Sequence, residues 1–199
     1  MMPVNEKNSR INVSNPGLAG ALLLFGGALF WLVTTISEAY YPYFITKIDT
    51  LSKLGSVGSP TQVLWNSMMV VLGVSWLLGA FLYFRGAGKI GWIALNLLPG
   101  AGILIVAVFP AGTNQNMHLL GAFLFFIMGG VAAIADFFMI RSAFRFFSLA
   151  FGIITLAALF FNVQLSAILG IGGAERVIAY LIILWLISFG GCLMGQRNG

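Results

Sequence analysis

Six runs of nearly unbroken apolar residues, at 18–36, 61–84, 90–109, 117–140, 146–169 and 177–194, alternate with polar segments along the chain. A helix that crosses about 30 Å of hydrocarbon needs roughly 20 mostly apolar residues, and each run is of that order. Barrel strands alternate apolar and polar positions in segments of about ten, which these runs do not. In lipid a helix satisfies its own backbone donors and acceptors, so the pattern predicts an all-α bundle of six transmembrane helices. Six crossings in 199 residues leave little for a soluble part, and 1–199 reads as a single membrane domain.

Four of the five connections are short, and the first, 37–60, is long. Within it Ile48, Leu51 and Leu54 recur every third residue among Thr46, Lys47, Asp49, Thr50 and Lys53, and Gly55 supplies a stop. This spacing predicts a short amphipathic helix over 45–54 lying at the interface, with Tyr40, Tyr41 and Tyr43 ahead of it at headgroup depth. Ser59, Pro60 and Gln62 then form a capping-box pattern: a cap, a proline at the first helical position and a glutamine three past the cap. A connection of this length either anchors the outer face or walls an outer pocket.

Composition agrees with the periodicity. Hydrophobic residues make up 60% of the chain and charged ones 8%, against about 25% charged in soluble domains. The first apolar run is too long for a signal-peptide core and is read as an uncleaved anchor. The net charge of +5 is explained by its distribution rather than by nucleic-acid binding. With both termini cytoplasmic, Lys7, Arg10, Arg85, Lys89, Arg141, Arg145 and Arg197 are inside, and Lys47, Lys53 and Arg176 are outside. That asymmetry follows the positive-inside rule and makes 37–60 an outer loop of a plasma-membrane protein.

The costly polar groups then fall into place. Intramembrane ionisable residues face protein or water. His118 and Asp136 lie 18 residues apart, five whole turns, on a face shared with Ala122, Phe125, Gly129, Ala132 and Ala133. Glu38 tops a stripe of Gly20, Leu24, Gly27, Trp31 and Thr34, and Asn66 stands above Gly73 and Ala80. Asn162, Gln164, Glu175, Arg176 and Tyr180 reach the same outer depth. Arg176 is expected either to pair with Glu38 or Glu175 or to hold a ligand, and Asp136 to pair with Arg141 or Arg145. Asn96 and Pro99 predict a local break in the third span.

Several chemistries are thinned out. One histidine cannot supply paired haem ligands, and no HExxH, GxSxG or Walker glycine loop occurs. The lone Cys192 precludes an intramolecular disulfide, and no metal or other cofactor is called for.

The segments IDTLSKLGSVGSP with Asn66, VFPAG with His118, and GGAERVIAYLIILW together resemble the six-span prokaryotic membrane family known as domain of unknown function 998. The likeness covers nearly the whole chain and implies a six-helix membrane protein without an assigned activity. Family members tend to carry an acid after the FP pair, where this chain has Ala111, which weakens any scheme that needs that carboxylate. A more distant likeness is to six-span proteins of the Frag1/DRAM/Sfk1 type.

These readings converge on an outward-facing polar pocket that binds or processes a membrane lipid or another amphiphile. His118, Glu38 and Asp49 are the candidates for proton transfer, and Ser52, Asn66, Glu175 and Arg176 for ligand binding. The competing class is a non-enzymatic scaffold or subunit in which the same groups are ion pairs and caps. A transporter of small solutes or protons ranks below both, because the face between His118 and Asp136 is apolar.

Overall fold

The computed structural model describes residues 15–85, 90–140 and 142–195. Lys7, Arg10, Lys89, Arg141 and Arg197, which enter the reading of sidedness, lie outside that set. The described residues form seven helices and no strands: α1 Pro16–Tyr40, α2 Leu51–Leu54, α3 Gln62–Phe84, α4 Ile90–Val108, α5 Gln115–Asp136, α6 Phe144–Phe160 and α7 Asn162–Met194. Five of them (α1, α3, α4, α5 and α7) are long and apolar enough to cross a membrane. The chain is an apolar, multi-pass helical membrane protein.

Helix starts follow local chemistry. Asn15 caps α1 by accepting from the Leu18 N–H, and Pro16 occupies the first position, where no N–H is needed. Asn114 caps α5 through the Met117 N–H. At α3 the predicted capping box is displaced. The helix begins at Gln62, the Ser59 hydroxyl accepts from the Thr61 N–H, and Gln62 reaches back to the Gly58 N–H.

Two expectations are corrected. The run 146–169 is not one helix: α6 ends at Phe160 after 17 residues, and the chain turns at Phe161. Residues 162–169 open α7 instead, which breaks at Gly170 (φ 78°, ψ 163°) before continuing to Met194. The helix expected over 45–54 shrinks to Leu51–Leu54, because 45–49 is a turn held by Ile45 carbonyl bonds to the Ile48 and Asp49 N–H groups. Its apolar stripe splits accordingly, with Leu51 and Leu54 buried and Ile48 62% exposed.

The long helices pack as a closed ring in the order α1, α3, α4, α5, α6, α7 and back to α1. Small residues set the seams. A Cβ on Gly190 would sit 2.6 Å from the Gly20 carbonyl, and one on Gly102 would sit 2.6 Å from that of Gly121. In lipid no hydrophobic force drives helices together, so this close backbone approach, and the dispersion it permits, is what joins them. α1 uses two stripes: Gly20 and Gly27 meet α7, whereas Gly26 meets Leu72 and Ser75 of α3.

Inside the ring Trp76, Trp185 and Phe189 are almost fully buried and stack against one another. Pro99 lies inside α4, which runs helical across it, so the expected break is not found; the Trp76 indole N–H bonds the Asn96 carbonyl at 3.0 Å.

Candidate functional site

The long connection between α1 and α3 is docked onto α7 by two consecutive residues, Glu175 and Arg176. Glu175 accepts the Leu51 N–H at 2.7 Å on one oxygen and the Ser52 hydroxyl at 2.9 Å on the other, so it caps the start of α2 from another helix. Arg176 takes the carbonyl side of the same loop. Its Nη1 donates to the carbonyls of Thr46, Asp49 and Gly172 at 2.8–2.9 Å. Its Nε and Nη2 both reach Glu38 Oε1, at 3.0 and 2.7 Å. The guanidinium also lies 5.4 Å from the Phe44 ring centre.

This docking requires the glycines that precede it. The Gly172 N–H donates to the Lys47 carbonyl at 3.1 Å. A Cβ on Gly170 or Gly172 would collide with the carbonyls of Lys47, Thr46 and Asp49, and Gly170 also has a positive φ. GIGG and AER thus act together: the first lets the loop backbone approach, and the second binds its polar atoms.

The far end of the loop is held as firmly. The Asn66 amide donates to the Gly55 carbonyl at 3.0 Å, and Ser59 and Thr61 hydroxyls both donate to the Leu54 carbonyl. Val57 N–H bonds the Ala111 carbonyl, which joins the α1–α3 and α4–α5 connections. Asp49 lies on the outward surface of the loop with Lys53, in an open groove that also includes Thr50, Ser56, Val57 and Ala111. The Ile45 N–H, and after it the Lys53 side chain, hold the Asp49 carboxyl below its ordinary value. The bond from Asp49 in turn raises the Lys53 ammonium above its own.

Beneath the docked loop lies a cleft of about 40 Å³. Leu51 and Ser52 of α2 form part of its wall, with Phe30 from α1, Trp65 and Met69 from α3, and Val106 from α4. α5 contributes His118, Ala122, Phe125 and Phe126, and α7 contributes Glu175 and Ala179. Three polar groups, Ser52, His118 and Glu175, therefore share a wall that is otherwise apolar and largely aromatic.

The His118 ring is oriented by one bond, from Nδ1 to the Phe109 carbonyl at 2.9 Å. A carbonyl only accepts, so Nδ1 carries the proton, and in the neutral ring Nε2 is an acceptor. Nε2 has no hydrogen-bond partner among the described residues. His118 is buried as a residue, but Nε2 is not one of the buried unpartnered atoms among the described residues, so it stays accessible from the cleft side or from solvent.

Of the sequence candidates, Ser52, His118 and Glu175 meet at the cleft. Glu38 and Arg176 meet each other beside it, Asn66 holds the loop end, and Asp49 faces outward. Phe125 was placed on the His118 face from the sequence, but the aromatic walls Phe30 and Trp65 escaped that reading because aromatic residues are everywhere in the apolar runs. Gly170 and Gly172 were legible in principle, since they sit directly before the Glu175–Arg176 pair.

At the end of α5 away from the docked loop, Asp136 is fully buried and accepts from the Asn96 amide at 3.1 Å through one oxygen, while its other oxygen has no partner. Pairing with Arg145 does not occur: that guanidinium lies over the Phe137 and Phe146 rings, at 5.4 and 4.7 Å. Arg141 lies outside the described residues.

Fold and site together define a multi-pass helical membrane protein with a cleft beneath a docked polar loop. The chain belongs to the family of proteins of unknown function designated DUF998, whose model matches residues 24–191. No curated protein and no solved structure matches it.

Proposed function

We propose that the cleft beneath the loop binds the head end of a membrane lipid or another amphiphile, on the non-cytoplasmic side of the plasma membrane. In this reading the chain crosses six times, with α6 as the fifth crossing, since 17 apolar residues span about 25 Å. Both termini are then cytoplasmic, and the loop around α2 sits at the outer interface. The observation that carries the proposal is the meeting of Ser52, His118 and Glu175, from three different elements, in one wall with aromatic rings. A mostly apolar concavity with a few convergent polar groups is the usual form of a small-ligand site. Its 40 Å³ suits a headgroup and its first carbons rather than a whole acyl chain.

Ala122 and Ala179 offer the direct test, because both line the cleft and neither makes a polar contact there. Native mass spectrometry of the purified protein should detect a co-purifying amphiphile that is lost when Ala122→Leu fills the space. Retention of the same ligand by a folded Ala122→Leu protein would refute the assignment.

A second reading, a scaffold without a ligand, draws support from Arg176, whose Nη1, Nε and Nη2 are all engaged by protein acceptors. It predicts that substitutions in the cleft change partner assembly or stability and displace nothing.

A further inference from the structure

We infer that the amphiphile's head is a cationic ammonium rather than a phosphate, an inference that rests on the amphiphile-binding reading above. The polar members of the cleft are all acceptors toward a ligand. Glu175 is a carboxylate, His118 presents Nε2 with Nδ1 committed to Phe109, and Ser52 donates its proton to Glu175 and keeps its lone pairs. Among the described residues, no lysine or arginine lines the space.

The charge balance of the surrounding residues points the same way. Arg176 pairs with Glu38, and Lys53 pairs with Asp49. Glu175 has hydrogen-bond donors on both oxygens but no ion-pair partner among the described residues. A ligand ammonium would supply the ion pair that no described lysine or arginine makes with this carboxyl. Phe30, Trp65 and Phe125 on the same wall offer ring faces and edges, and aromatic faces attract an ammonium. A phosphate head would meet a carboxylate, an imidazole acceptor and ring faces, each of them unfavourable to an anion. An alcohol would use one acceptor and leave the charge unmatched.

The test compares dodecylamine, dodecanol and dodecyl phosphate as probes. They are titrated at neutral pH into the full-length protein in non-ionic detergent, with binding read by thermal shift and native mass spectrometry. Dodecylamine should bind saturably, and dodecanol about tenfold or more weakly, as expected for loss of a charge-assisted contact. Dodecyl phosphate should show no saturable binding. Glu175→Gln should erase the preference for amine over alcohol, and Ala122→Leu should abolish binding of both. If Glu175→Gln does not fold, the ranking on the wild-type protein decides alone. An amine that binds no better than the alcohol, or a phosphate that binds as well as the amine, overturns the ammonium assignment and leaves the amphiphile reading intact. Failure of all three probes to bind removes both.

Discussion

Glu175 and Ser52, 123 residues apart in the chain, share a hydrogen bond of 2.9 Å that ties α7 to the α1–α3 loop at the wall of the cleft. The same carboxylate caps Leu51, and the next residue, Arg176, binds the carbonyls of Thr46 and Asp49 just before α2. Loop position and cleft shape therefore depend on one dipeptide.

Replacing Glu175 by alanine removes both loop donors' partner and should loosen residues 45–58. A loss of about 1–3 kcal/mol is expected for the unsatisfied groups. Hydrogen exchange should show faster exchange at Leu51 and its neighbours, with the inner ends of α3 and α7 unchanged.

Arg176→Lys should not rescue the site although it keeps the charge. An ammonium offers three donors from a single nitrogen and cannot reproduce the arginine fork that serves Glu38 and three carbonyls. Thermal unfolding in detergent should fall for Arg176→Lys nearly as far as for Arg176→Ala, and more than for Glu38→Gln. A double-mutant cycle with Glu38 should give a coupling of about 1 kcal/mol or more, discounted for the 22% exposure of the glutamate side chain.

Gly172→Ala should be among the most damaging methyl additions in the molecule. Its Cβ would meet the carbonyls of Thr46 and Asp49, backbone atoms that cannot swing aside. Gly58→Ala is the informative contrast, since that Cβ meets nothing and only the positive φ of 81° opposes it, at about 1 kcal/mol. Comparing melting temperatures of the two variants separates collision from backbone strain.

The Asp49 tether gives the loop a pH dependence of definite sign. Its folded value is depressed chiefly by the Ile45 N–H, so its contribution is complete above the ordinary 3.8 and is lost as pH falls through the lower folded value. The mobility of a spin label, attached beforehand at neutral pH to a cysteine placed at Tyr43, should therefore hold steady from neutral pH to about 4 and rise in more acidic buffer. In Asp49→Asn the acidic rise should vanish.

At the end of the bundle away from the docked loop, Asp136→Asn should leave stability unchanged or higher. The substitution keeps an oxygen for the Asn96 amide and replaces an acid that has one unpartnered, fully buried oxygen. Asp136→Leu should be worse, because it leaves the Asn96 amide with only the Trp92 carbonyl. Unfolding midpoints of the two variants decide the point.

Much of this was legible in the chain. Apolar runs and caps such as Asn15 are local properties, so helices α1, α3, α4 and α5 fall within a few residues of the predicted spans. Inward placement of His118 and Asp136 also followed from helical period alone, and both are buried. The fifth run misled because apolarity continues past the turn at Phe161: Phe160, Val163 and Ile168 are 71–81% exposed, and hydropathy does not register that the chain has changed direction.

What the sequence determined by itself was the class of molecule and which side chains had to be turned inward, because lipid penalises the alternatives residue by residue. The tertiary structure alone decided the partners. Arg176 had two acids within reach at its depth, and it took Glu38, 138 positions away, while Glu175 went to α2. That choice depends on the order of helices around the ring and on their rotation. Both are set by glycine seams such as Gly20 against Gly190, contacts between distant segments that no local pattern encodes.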